Sequence, residues 1–345
     1  MPRVTFALPW PCLGILPSLP PTVRDLEVAP LFRERFVLSG YRPAGQPWRC
    51  YALSLFHIHN QTLNAWSHLL AAACVVARFT LFGISLDASS LPLVLYAVSA
   101  VTYLSCSAAA HLLQSHSEAA HYSLFLLGYV GVAIYQYGCA LTHYLYSADA
   151  AWTQSMLGQV FLPAAAVLAW LSCATCCFAK LHFRRPYPPY RNLCQVLPMG
   201  VAYLLDISPV AHRMEIWVEE SGPDSGSTVV LFLLSVFFFS CPVPERFSPG
   251  SFDIVGHSHQ LFHVLLSLCT LAQQEALFLD FLWRRGQGVE LKYRDPAQLS
   301  IMVLQPLFIA SQLLYTATGV KHYTLKKTQQ PNSENSVIVK TNLNS

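Results

Sequence analysis

Charged side chains are what this 345-residue sequence has least of: Asp, Glu, Lys and Arg together make up 11% of it. Soluble domains carry about a quarter, so the chain lacks the residues to cover a water-facing surface, and a soluble globular fold is excluded. The net charge of +3 is mild. Its basic residues gather at the edges of apolar runs, which argues against nucleic acid as a partner. A continuous apolar leader is also missing. Residues 4–16 follow Arg3, but Pro9 and Pro11 interrupt them and Pro17, Pro20 and Pro21 follow. A signal peptide needs an unbroken apolar region and a small-residue cleavage site. The N-terminus therefore reads as a disordered or peripheral leader, with a signal peptide as the lesser alternative. No segment alternates polar and apolar residues as a membrane barrel would.

What the sequence does have is apolar length. Hydrophobic residues make up 54% of the chain and the mean hydropathy is +0.40. About 20 apolar residues in a helix span a bilayer. Such runs cover 65–83, 91–113, 122–146, 156–179, 193–211, 228–241 and 255–282, with an eighth at 299–320. The expectation is an all-α, polytopic membrane helical bundle with a seven-helix core and an eighth C-terminal span. Residues 1–60 form a cytosolic N-terminal segment, 61–285 the core, and 286–345 the extra span and a polar tail. Most of the eleven cysteines, such as Cys74, Cys106, Cys139 and Cys269, lie inside apolar runs and behave as small hydrophobes. Cys173, Cys176 and Cys177 stand near Lys180, Arg184 and Arg185, a setting for palmitoylation, although packing is the plainer reading.

Orientation follows Lys and Arg at the span ends. Arg33, Arg35, Arg42 and Arg49 precede the first span, and Lys180, Arg184, Arg185 and Arg191 lie between the fourth and fifth. Lys321, Lys326 and Lys327 follow the eighth. All three groups share one side, which puts the N-terminus in the cytosol. Arg284, Arg285, Lys292 and Arg294 break the rule in this arrangement. The sequon Asn60-Gln61-Thr62 would face the cytosol and stay unmodified.

The seventh span opens with Gly256-His257-Ser258-His259-Gln260-Leu261-Phe262-His263. His259 and His263 share one helical face, one turn apart, and can reach one ion. His257 is two residues from His259 and points elsewhere. Ionisable groups inside a membrane are costly and usually functional. Span two ends on the same side, so His111, near that end, sits level with the pair. Three neutral imidazoles and a water would complete a tetrahedral zinc site with one open position. Ser107, one turn before His111, could bond that water or a supporting group. The bland alternative is that each histidine packs between helices.

Ser107-x-x-x-His111, Pro244-Glu245-Arg246-Phe247-Ser248-Pro249-Gly250 and His259-Gln260-Leu261-Phe262-His263 resemble the progestin and adiponectin receptor family. Gly40-Tyr41-Arg42-Pro43, Trp66-Ser67-His68-Leu69-Leu70, residues 206–213 and residues 240–245 resemble its membrane progestin receptor branch, the beta type most. The resemblance covers nearly the whole chain after the leader. It implies a seven-helix core with zinc held by His111, His259 and His263. It also implies a progestin-type steroid as ligand, membrane lipid as a partner, and a G protein or other signalling effector, at the plasma membrane or on endomembranes. One position departs from the family pattern. An acidic residue is expected just before Tyr129, against the water on zinc, and this chain has Gly128. A zinc hydrolase needs a base or proton carrier there. No catalytic residue is therefore named, and a ceramidase-like amidase stands second to the receptor. Spans three and seven end without Asp-Arg-Tyr or Asn-Pro-x-x-Tyr, so a G-protein-coupled seven-helix receptor finds no support. A transporter's inverted repeat is missing too. Three further polar residues are candidate ligand contacts. Gln195, level with the histidines, can donate to a ketone. Asp206 and Glu275 lie toward the other ends of their spans, where either could line a ligand entrance, although an interhelical hydrogen bond is the commoner role. Arg78 is expected to snorkel to the headgroups.

Overall fold

The computed structural model describes residues 19–83, 89–183, 187–188, 190–216 and 224–286. The described helices are α1 (Trp48–Leu53), α2 (Thr62–Leu81), α3 (Leu91–Leu113), α4 (Glu118–Tyr146), α5 (Ala150–Gln154), α6 (Met156–His182), α7 (Tyr190–Asp206), α8 (Ser208–Ile216), α9 (Asp224–Ser240) and α10 (Ser258–Gly286). No strand occurs among the described residues, and Val23 and Tyr41 form an isolated bridge. Four stretches, Leu91–His116, Glu118–Tyr146, Met156–His182 and Ser258–Trp283, are long and apolar enough to cross a bilayer, and Ser227–Ser240 is a shorter apolar helix. The chain is a multi-pass, all-α membrane protein. The proposed eighth span, 299–320, lies outside the described residues.

Local chemistry sets the helix ends. Ser117, Ser155 and Asp149 each accept a backbone N–H three residues on, capping α4, α6 and α5, as N-cap side chains do. The run expected as one span over 193–211 is two helices that break at Ile207. Pro209 has no N–H to give the carbonyl of Leu205, and the Ser208 hydroxyl donates to it instead at 2.7 Å. The seventh span starts at Ser258 rather than 255, because Glu245 caps it from outside. The Glu245 carboxylate accepts from Ser258 N at 2.8 Å and Ser258 Oγ at 2.5 Å. A negative charge at a helix N-terminus is stabilising.

Small residues let helices approach. On α4, a Cβ at Gly131 would lie 3.0 Å from Tyr103 Cα, and one at Gly138 would overlap Ser99, both residues of α3. Close approach through such positions is how membrane helices gain dispersion contacts without a hydrophobic drive. Polar side chains hold α10 to the others. Tyr103 and Thr270 share a hydroxyl hydrogen bond of 2.5 Å, Tyr135 donates to Gln273 at 2.7 Å, and Gln274 donates to the carbonyl of Val75 at 2.9 Å. The outward face is apolar, with Leu81, Val98, Met156, Val167, Leu204 and Leu233 all exposed, as lipid contact requires.

The segment before α2 is folded against the helix ends. Val28, Val37 and Tyr41 form a small core of their own. Gly40 takes φ +81°, where a side chain would also strike Ile254. Asp253, in the loop before α10, accepts from Leu38 N at 2.9 Å and Ser39 Oγ at 2.6 Å. Arg42 is buried and donates to Ser54 Oγ at 2.7 Å, to the carbonyl of His111 at 2.8 Å, and to that of Leu112. Burial pulls its pKa down to about 10, so the guanidinium keeps its charge at neutral pH.

Candidate metal centre

The packing of α3 against α2 and α4 brings the end of α3, with His111, to the first turns of α10. His111, His259 and His263 come together there. One ligand nitrogen from each lies within 4.8 Å of the others. Ring centroids are 5.1 Å apart for His111 and His259 and 4.5 Å apart for His111 and His263. The Nε2 atoms of His259 and His263 are 3.2 Å apart. Two nitrogens at zinc–imidazole bond lengths on a tetrahedron stand about 3.3 Å apart. The three-imidazole donor set and the spacing of the His259/His263 pair therefore suit zinc. His257 lies outside the group: its Nε2 is 3.2 Å from the carbonyl of Asn60 and its Nδ1 is 3.8 Å from Glu34.

The ring of His111 has a fixed orientation. Its Nδ1 is 2.6 Å from Gln61 Oε1, which leaves Nε2 for a ligand. Gln61 in turn donates from Nε2 to the Glu34 carboxylate, and its Oε1 accepts from Asn64 Nδ2 at 3.0 Å. Neither Gln61 nor Glu34 was singled out as a site residue in the sequence. His68 was noted only within a family motif, and its ring centroid lies 4.1 Å from that of His263.

An apolar cavity reaches the histidines from inside the bundle. Its walls include Val132, Met199, Phe232, Phe239, Phe262 and Leu266, and Ser107, His111, His259 and His263 line it as well. Gln195 and Asp206 both face it from α7. Eleven residues of helix between them correspond to about 16 Å. Gln195 Nε2 makes a long hydrogen bond of 3.4 Å to Tyr129 Oη, and its Oε1 is buried without a partner. Asp206 Oδ1 is 2.9 Å from His143 Nδ1, both side chains buried. Glu275 is not among the lining residues. It pairs with Arg78, which also donates to the carbonyl of Leu271 at 2.8 Å. This pair joins α2 to α10, the interhelical role that a polar residue within a span commonly takes. Gly128 lines the cavity, and a Cβ there would meet nothing within 4 Å. A second cavity, of mixed polar and apolar walls, shares His111 and His259 with the first, and its lining includes Glu34, Arg35, Lys180 and Arg191.

The model of the haemolysin-III related family matches residues 56–274, a stretch that holds all three histidines, Gln61 and Gln195. The chain belongs to this family. Membrane progestin receptor beta of Homo sapiens is 48% identical over 317 residues, 89% of each chain, and that of Mus musculus is identical to the same extent. Membrane progestin receptor alpha-B of Danio rerio is 45% identical over 280 residues, 78% of this chain and 79% of its own. The resemblance drawn from the short motifs thus extends over most of this haemolysin-III related chain.

Proposed function

We propose that this chain is a membrane receptor for progestin-type steroids, with an intramembrane zinc site on His111, His259 and His263. The observation that carries the reading is its 48% identity, over 89% of the chain, to proteins named membrane progestin receptors. The apolar cavity supports it. A steroid is rigid and apolar with one or two ketones, and a pocket of this kind with few polar groups suits it. Gln195 can present its amide N–H to a ketone at the histidine end, while Asp206, held by His143, is the polar group at the other. Zinc, when bound, supplies a Lewis acid and ties α3 to α10. The N-terminus lies in the cytosol and the protein acts at the plasma membrane, giving rapid non-nuclear signalling through a G protein or another effector. That the cavity touches the histidines directly favours a second reading, a zinc-dependent lipid amidase, but Gly128 leaves it without the expected acid.

The test measures zinc and progestin binding on one purified preparation. The protein should carry about one zinc per chain, and His263→Ala should lower both zinc content and thermal stability. Gln195→Ala should weaken steroid binding about tenfold, the loss of one good hydrogen bond, with zinc unchanged. Absence of saturable steroid binding would refute the receptor, and absence of zinc from both proteins would refute the metal site.

A further inference from the structure

His111 is held from outside its own helix at two points. Arg42 binds its backbone carbonyl, and Gln61, at the start of α2, binds its ring. Gln61 is buried, and its amide has a donor end and an acceptor end that must be told apart. Its surroundings do so chemically. The Glu34 carboxylate only accepts, so it takes the amide NH2 end. Asn64 Nδ2 donates to the opposite atom, which must then be the carbonyl oxygen. That oxygen faces His111 Nδ1 at 2.6 Å and can only accept from it. The proton of a neutral His111 therefore sits on Nδ1. The lone pair is on Nε2, the same nitrogen by which His259 and His263 face each other.

We propose that Gln61 is the positioning residue of His111 and that Glu34 fixes Gln61, so that the N-terminal segment sets the geometry of the metal centre. The inference rests on reading the three histidines as a zinc site. Glu34 belongs to the segment that Asp253 and Arg42 fasten to the bundle. The chain Glu34–Gln61–His111 thus runs from that segment to the ring of a proposed ligand without a break. Hydrogen-bond partners of this kind raise ligand basicity and fix ring orientation, and their loss typically costs 10–100-fold in metal affinity.

The experiment compares wild type, Gln61→Ala, Glu34→Ala and the double swap Q61E/E34Q, in which carboxylate and amide exchange places and the hydrogen bonds re-form. Zinc affinity is measured by competition with a chelator, and thermal stability is measured on metal-free protein. The tautomer of His111 is read from imidazole 15N shifts in histidine-labelled metal-free protein, assigned by its loss in His111→Gln. Both alanine variants should lose 10–100-fold in zinc affinity with little change in metal-free stability. The swap should bind nearly as wild type does, and the wild-type proton should sit on Nδ1 of His111. Zinc affinity unchanged in Gln61→Ala, or lost only in step with metal-free stability, would overturn the proposal, as would a proton on Nε2. If wild type takes up no zinc while Gln61→Ala still shifts the tautomer, the metal reading fails and the positioning of His111 by Gln61 stands.

Discussion

Gly128→Asp separates the receptor from the amidase. Gly128 sits in α4 at an ordinary helical φ and lines the cavity beside His111 and Tyr129. A Cβ there meets nothing within 4 Å, so the first atom of the new side chain enters open space. The helix gains slightly, since glycine costs about 1 kcal/mol against alanine and aspartate less. The carboxylate would stand where the family pattern has its acid. Amide cleavage needs a proton delivered to the leaving nitrogen, and a placed acid–base group is typically worth 10²–10⁴-fold, about 3–5 kcal/mol of barrier. The assay follows sphingoid base released from ceramide by mass spectrometry, with progestin binding measured on the same preparation. Wild type should turn over slowly, the variant faster by up to that factor, and steroid affinity should change by less than about twofold, within the energy of a weak contact. Brisk turnover by the wild type with no gain in the variant would remove the physical ground for placing the receptor first, and the amidase would lead.

Two further expectations concern the N-terminal segment. Arg42→Met removes charge-assisted hydrogen bonds worth about 1.5–3 kcal/mol each, partly offset because a buried charge is no longer desolvated. A net loss of about 2–4 kcal/mol should lower the unfolding temperature in detergent by several degrees, and an unchanged melting curve would show that the guanidinium is not a structural clamp. An epitope at the N-terminus should be reached by antibody only after cells are permeabilised. Staining of intact cells would move the histidines to the opposite side of the membrane.

Long apolar runs made the helices legible, because lipid forces backbone hydrogen bonds inside each segment. The His259/His263 pair was legible from its one-turn spacing, and His111 from its depth at the end of its span. The break at Ile207 was less so. Pro209 is visible, but that Ser208 takes up the freed carbonyl depends on a side-chain rotamer. Glu275 hid its partner for a related reason. Sequence gives its depth on α10 but not that Arg78 reaches it across from α2. Gln61 carries no spacing signal at all: it lies fifty residues from His111, inside what reads as a glycosylation sequon. Only the folding of residues 19–60 onto the bundle shows that this stretch belongs to the site.

The two cavities that meet at His111 and His259 have a consequence for what each can admit. The walls of one are mostly hydrocarbon and aromatic rings, while those of the other are mixed and include Glu34, Arg35, Lys180 and Arg191. An ion stripped of water cannot travel through the first, and an apolar ligand has no reason to pass through the second. His111 and His259 therefore border both an apolar chamber and one that carries charged side chains, while His263 borders only the first. On the proposed receptor reading, a steroid filling the apolar chamber would leave the charged one as the polar approach to His111 and His259.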